Sequence, residues 1–194
     1  MRPEPIILAF DTSAAHCAAA LLSGDRIVTR VDEMAKGQAE HLMPMLEEIL
    51  AGEGLAWRDL SALGVGVGPG NFTGIRISVS AARGLALGLG IPALGVSGFA
   101  ARAHGQPLPF TATIPAPRGQ SYRQVFYADG RLSDPVQVAE AEHLQPAAAD
   151  LIANTASIAA ARFLAGDIDT RPAPLYVRSA DAAPPRDAPP KILT

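Results

Sequence analysis

The stretch VGVGPGNFTGIR at residues 65–76 joins an apolar strand to a long helix. The residues from Ala62 to Val67 are small and apolar throughout, which is typical of a strand buried on both faces. Glycine, proline and asparagine then predict a loop at 68–71. From about Phe72 to Leu89 the apolar residues recur at helical spacing, and a fifth strand is expected from Ala93 to Val96. This strand, helix and strand require parallel pairing.

Upstream, the apolar run at 6–10 ends in Asp11 and predicts a central strand. Two further strands at 17–22 and 26–31, joined by a tight turn, make an antiparallel meander. A helix follows, with apolar residues at 42–50 and Pro44 expected in its first turn. The order of three strands, helix, strand, helix and strand predicts a mixed sheet flanked by helices. It is the element order of the ribonuclease H-like fold.

The pattern weakens after Gly105. Three more strands are expected at 111–114, 122–128 and 136–139, as if the same unit were starting again. A helix at about 147–153 and a second helical stretch around 157–164 follow. From Ala180 onward, prolines without apolar periodicity predict a loosely packed tail.

Composition limits the classes of function. The chain has 194 residues, a net charge of -3, 48% hydrophobic and 18% charged residues, which is typical of a soluble globular protein. The 16 basic residues are scattered and include only two lysines, so neither a nucleic-acid arm nor a membrane anchor is expected. The single cysteine, Cys17, excludes a disulfide framework within one chain and fits a reducing compartment. No targeting segment is expected at the start, and we expect the cytoplasm.

Familiar catalytic patterns do not fit this sequence. The glycines near 66–74 lack the spacing of a dinucleotide fingerprint, and a P-loop needs a lysine that this segment does not have. A nuclease of this fold needs several carboxylates, and only Asp11 is placed for that role. The four histidines are far apart in sequence, and His41 is expected to cap a helix or lie on the surface.

The first remaining feature is the turn Asp11-Thr12-Ser13 at the end of the first strand. In a ribonuclease H-like unit this position faces the cleft, where backbone N–H groups and hydroxyls can hold a phosphate. The alternative is an ordinary hydrogen-bonded hairpin turn. No metal ligand, catalytic residue or cofactor is assigned from the sequence.

The second feature is a mixed stripe on the long helix, besides the apolar stripe that faces the core. An aromatic, two arginines, a serine and a leucine make the composition of a protein contact, and glycines at 84 and 88 permit close approach. The stripe consists of Phe72, Arg76, Ser80, Arg83 and Leu87. Two alternatives remain: anion binding at the start of the helix, near 71–74, or a solvated face.

At these residues the sequence closely resembles the bacterial TsaB (YeaZ) family. The matching motifs are ILAFDTS at 7–13, AEHLMPML at 39–46, the run at 66–76 and GLALGLGIP at 84–92, with a weaker PLYVR match at 174–178. The resemblance implies the actin-like fold of two ribonuclease H-like lobes. It predicts a first lobe with the partner-binding helices at 1–98, a shortened second lobe at 99–179 and a Pro-rich tail at 180–194.

The resemblance also implies a non-catalytic role. Proteins of this family pair with the paralogue TsaD and with the ATPase TsaE in making threonylcarbamoyladenosine on tRNA, and they form homodimers through a helix surface of this kind. One departure is Pro115 and Gln120, where the family usually carries carboxylates, which weakens any ligand role for the second lobe. One alternative is a stand-alone ATP-dependent small-molecule kinase or peptidase. Another is a tRNA-binding module, which is disfavoured because this sequence has no basic patch.

Overall fold

A five-stranded mixed sheet forms the first part of the protein. The structure is a computed structural model and describes residues 4–139 and 146–177. The strands of this sheet are β1 (Ile6–Asp11), β2 (His16–Ser23), β3 (Arg26–Glu33), β4 (Ala62–Gly66) and β5 (Ala93–Val96), in the spatial order β3-β2-β1-β4-β5. Strands β3, β2 and β1 pair antiparallel, whereas β1, β4 and β5 pair parallel. The predicted meander and the predicted parallel pairs are both confirmed.

Two helices cover one face of this sheet. Helices α1 (Gln38–Gly52) and α2 (Phe72–Leu89) pack their apolar stripes on the side chains of β1 that point to that face, Leu8 and Phe10. The placement of Pro44 in the first turn was wrong, because α1 begins six residues earlier at Gln38. A proline inside a helix leaves the carbonyl four residues before it without its N–H partner. Here that residue is Glu40, which is exposed, so water can replace the missing donor.

The opposite face of the sheet is covered by helix α4 (Ala148–Leu164). The sequence predicted two separate stretches here, and the structure has one helix of 17 residues. The polar residues in the middle do not break it, because Thr155 donates to the carbonyl of Leu151 and Asn154 donates to that of Ala101. Although α4 follows the second sheet in sequence, its alanines pack on Ile7 and other residues of the first sheet.

The contact between α4 and the first sheet gives a stability prediction. Ala159 is fully buried, and a Cβ placed on Gly64 of β4 would come within 3.0 Å of its Cβ. Ala159→Leu should therefore overpack this contact and reduce the free energy of unfolding by about 1–3 kcal/mol, measured by urea denaturation. The matched control is Ala161→Leu, because Ala161 is exposed on the same helix. Equal stability of the two variants would contradict the packing of α4 on β4.

The second sheet has three antiparallel strands. They are β6 (Phe110–Ala116), β7 (Gln120–Phe126) and β8 (Val136–Ala139), in that spatial order. A short helix that the sequence did not predict, α3 (Gly98–Ala103), packs on them through Phe99. The division into lobes at 1–98 and 99–179 stays a prediction, because α4 lies within the second range but packs on the first sheet. The predicted tail at 180–194 lies outside the described residues.

Candidate partner-binding face and cleft

The start of α2 is fixed by hydrogen bonds. Asn71 caps the helix, since its side-chain oxygen accepts from the N–H of Gly74 at 2.8 Å. The N–H of Asn71 donates to the carbonyl of Ser13 at 2.7 Å, and the Thr12 hydroxyl donates to the carbonyl of Gly74 at 2.6 Å. The turn after β1 therefore holds the beginning of α2, and the two motifs that the sequence singled out are in direct contact.

The predicted phosphate loop is a closed, hydrogen-bonded turn. Asp11 accepts from the backbone N–H of Ser13 at 2.6 Å and from its hydroxyl at 3.1 Å. Thr12 is completely buried, and its hydroxyl is used by Gly74. This geometry favours the hairpin-turn alternative for Thr12. Asp11 and Ser13 line a cleft and are the members of the motif that a ligand could approach.

The mixed stripe of α2 lies on the solvent side of the helix. All five of its predicted residues are exposed, with Phe72 at 53% and Leu87 at 87% of their full surface. The other stripe is buried in the core through Ile75, Val79 and Ala82. The structure thus brings the five predicted residues together on one face. Together with Phe72 and the two arginines, Leu87 gives this face the composition of a protein contact.

A segment near the end of the described chain lies along part of this face. We call residues 172–177 the C-terminal strap. Arg83 Nε donates to the carbonyl of Pro172 at 2.7 Å, and Arg76 Nε donates to the hydroxyl of Tyr176 at 3.0 Å. The rings of Phe72 and Tyr176 lie 5.3 Å apart, and the Arg76 guanidinium stands 3.8 Å from the centre of the Phe72 ring.

Two consequences follow for the predicted site. The arginines of the stripe also hold the strap, so reversing their charge would disturb the chain itself as well as any partner contact. Ser80 and Leu87 are exposed on the same face and are separate from these strap contacts. Tyr176 was not predicted at this face, although the PLYVR match at 174–178 contains it. Arg178 lies outside the described residues.

A cleft of about 860 Å³ opens between the two sheets. Its walls come from both sheets and the segments around them. They include the turn after β1, the loop before α2, helices α3 and α4, strands β6 and β7, and the strap. Its size is in the range of sites that hold small molecules. Within residues 4–139 and 146–177, the structure places no group of three or more His, Cys, Asp or Glu side chains where they could hold a metal ion.

His41 takes part in a polar network at the edge of the first sheet, between β3 and α1. Its Nε2 lies 2.6 Å from Oδ2 of Asp32, and Arg30 pairs with both Asp32 and Glu48. Hydrogen bonds hold the pKa of Asp32 below its usual range, with the larger effect from His41 and the smaller from Arg30. This network joins the edge strand β3 to α1, and it places His41 in a structural contact at the surface.

Cys17 is expected to be chemically inert in the folded protein. Its side chain is fully buried, with Sγ 3.7 Å from Sδ of Met34, and burial together with Asp32 and Asp11 raises its pKa to about 11. At pH 8 only roughly one thiol in a thousand would be ionised. Labelling with a thiol-specific disulfide reagent should be slow in buffer and fast in guanidinium. Rapid labelling of the folded chain would contradict the burial of Cys17.

Among the described residues, no helix is both long and apolar enough to cross a membrane. The mixed sheet between helices, the second sheet and the cleft between them define an α/β protein of the actin-like class. Residues 32–166 match the sequence model of the family described as TsaD: tRNA N6-adenosine threonylcarbamoyltransferase, which is more than half of the chain. The chain belongs to this family.

The chain is also similar to proteins named TsaB over part of its length. Proteins named tRNA threonylcarbamoyladenosine biosynthesis protein TsaB from Escherichia coli (strain K12) and Haemophilus influenzae are 37% and 40% identical to it, each over 99 residues. These matches cover 51% and 50% of this chain but 43% and 41% of the relatives. The matched part therefore spans less than half the length of those curated relatives.

Two further similarities extend over nearly the whole chain. An uncharacterized protein of Mycobacterium tuberculosis is 30% identical over 199 residues, which covers 92% of this chain and 94% of that protein. The solved structure of YeaZ from Pseudomonas aeruginosa superimposes with a TM-score of 0.72 at 25% identity, covering 89% of this chain and all of the other. The predicted actin-like fold is confirmed by these comparisons.

Proposed function

We propose that this chain is a non-catalytic activating subunit in the synthesis of threonylcarbamoyladenosine on tRNA. It would act in the cytoplasm by pairing with a TsaD protein, and with the ATPase TsaE, so that TsaD transfers the threonylcarbamoyl group. The names of the TsaB relatives support the pathway. The family resemblance supports the division of labour, in which this chain supplies a binding surface and the partner supplies the reacting groups.

The observation that carries the proposal is the solvent-facing stripe of α2. It presents an aromatic ring, two guanidinium groups and a leucine that is 87% exposed, on a helix whose opposite stripe is buried in the core. Aromatic residues and arginines dominate binding energy at protein interfaces, and an exposed leucine gains from burial there. Gly84 and Gly88 have no neighbour within 4 Å of an added Cβ, so a partner backbone has room to approach.

The same stripe would serve a homodimer when the partner is absent. A two-fold dimer uses one patch on both copies, and a helix that crosses its own symmetry mate through small residues satisfies that requirement. We propose that the homodimer and the complex with TsaD compete for this face. Contact with tRNA would be made through the complex, since the net charge of this chain is -3 and its basic residues are scattered.

Sedimentation velocity with the cognate TsaD tests the pairing. The chain alone should sediment as a dimer at micromolar concentration, and adding TsaD should convert it to a heteromeric species. TsaD carries a dye and is followed at the wavelength of that dye. Its signal should move with the new species. Independent sedimentation of the two proteins at concentrations far above those in the cell would contradict the proposal.

A further inference from the structure

The cleft contains a guanidinium group that the fold does not fully use. Arg102 of α3 extends along the cleft wall and donates from Nη1 to the carbonyl of Gly98 at 3.1 Å. Its Nε is buried and has no hydrogen-bond partner among the described residues. Nearly all buried donors in proteins are paired, so Arg102 is a side chain whose donors the described residues do not saturate.

The approach of α3 to the second sheet places Arg102 in the cleft. A Cβ at residue 98 would lie 3.0 Å from Cδ1 of Ile114 on β6, so glycine permits the close contact. Burial lowers the pKa of the Arg102 guanidinium, and the Asp11 carboxylate partly opposes that shift. Even when its pKa is lowered in this way, an arginine stays charged at neutral pH, so a cation is held at the wall of the cleft.

The charges in the cleft limit the ligands that it can accept. Among the described residues that line it, Arg102 is the basic side chain and Asp11 the acidic one, with His16 as a further titratable group. Asp11 is near enough to influence Arg102, yet its oxygens accept from Ser13. A ligand with one negative charge would be matched by Arg102, whereas each additional charge would be repelled by Asp11 without a second cation to offset it.

The remaining walls of the cleft are mainly apolar. Aliphatic side chains come from β6, α4 and the strap, and aromatic rings come from α2, β7 and the strap. They include Phe72, Ile114, Tyr122, Leu151, Ile152, Leu175 and Tyr176. Such walls favour an apolar or aromatic body, and a planar carboxylate matches the planar fork of a guanidinium.

We propose that the cleft binds a small organic monocarboxylate through Arg102. The carboxylate accepts hydrogen bonds from the guanidinium, and the body of the ligand rests on the apolar walls. This site shares Phe72 with the solvent-facing stripe of α2, but it does not depend on the proposed subunit role. It also differs from a polyphosphate site, for which the lining offers a single arginine.

The test uses 4-fluorobenzoate, which has an aromatic body and one carboxylate, titrated into the full chain and followed by fluorine NMR. We expect saturable binding with a Kd of about 1 mM or tighter, as is usual for a ligand of this size. Phenyl phosphate and magnesium ATP, at matched ionic strength, should compete weakly. Failure of 4-fluorobenzoate to saturate, or tighter binding of either phosphate compound at this site, would overturn the proposal.

Variants assign the binding to Arg102. Arg102→Met should weaken 4-fluorobenzoate at least roughly tenfold, because the charge and its hydrogen bonds are both lost. Arg123→Met is the matched control, since Arg123 is exposed on β7 and does not line the cleft. The affinity of this variant for 4-fluorobenzoate should equal that of the parent chain. If Arg102→Met does not fold, Arg102→Lys replaces it and should weaken binding several-fold. Unchanged affinity in the folded Arg102 variant would contradict the proposed site.

Discussion

Replacing Gly74 by alanine is expected to reduce the free energy of unfolding by about 3–5 kcal/mol. Gly74 lies in the first turn of α2, where a Cβ would come within 1.9 Å of the carbonyl oxygen of Thr12. That oxygen belongs to the backbone, so no side-chain rotation relieves the clash. The helix start must move, which also breaks the 2.6 Å hydrogen bond from the Thr12 hydroxyl to the carbonyl of Gly74. Urea denaturation followed by circular dichroism measures the change.

Gly84 on the same helix is the matched control, with open space where Gly74 has a clash. An added Cβ on Gly84 meets nothing within 4 Å, and the position is exposed. Gly84→Ala should therefore stabilise the monomer by about 0.5–1 kcal/mol, because alanine restricts the unfolded backbone more than glycine does. If Gly74→Ala and Gly84→Ala changed stability equally, the contact between α2 and the turn after β1 would be wrong.

The second large effect is expected at Leu87. Leu87→Glu should weaken association with TsaD by about 100-fold, equivalent to about 3 kcal/mol, because it removes an apolar contact and places a charge in the interface. At concentrations low enough to keep the isolated chain monomeric, its stability should change by less than about 0.5 kcal/mol, since the side chain is 87% exposed within one copy. Sedimentation equilibrium with TsaD gives the affinity, and a thermal melt gives the stability.

Leu164→Glu is the matched control for this variant. Leu164 is also an exposed leucine on a helix, at 63% of its full surface, but α4 lies on the opposite face of the first sheet. The Leu164→Glu variant should bind TsaD with the same affinity as the parent chain. Equal losses in both variants would indicate a general effect of added charge, and no loss in Leu87→Glu would remove α2 from the proposed interface.

The first hundred residues could be predicted well because their patterns are local. Each element there is predicted by a short stretch of sequence. The apolar run at 6–10 predicts β1, the tight turn before β3 predicts a hairpin, and the helical spacing of apolar residues predicts α2. The six residues of α3 carry too little periodicity to stand out. The alanine-rich stripe of α4 suits any sheet surface, so its packing on the first sheet depends on contacts far apart in sequence.

The same distinction applies to the candidate site. Helical periodicity predicted which residues share the solvent-facing stripe of α2, and the structure places all five there. The strap is different, because its hydrogen bonds to Arg76 and Arg83 join residues 100 and 89 positions apart. The burial of Arg102 near Asp11 likewise depends on α3 and the turn after β1 coming together. Neither feature leaves a local signal in the sequence.

Threonylcarbamoyl transfer to tRNA by the cognate TsaD and TsaE tests the central claim most directly. The reaction is supplied with threonylcarbamoyl adenylate and ATP, and product is measured without this chain, with it, and with the Leu87→Glu variant. The account predicts product with the parent chain, and little or none without it or with the variant. Equal product in the absence of the chain would contradict its role as an activating subunit.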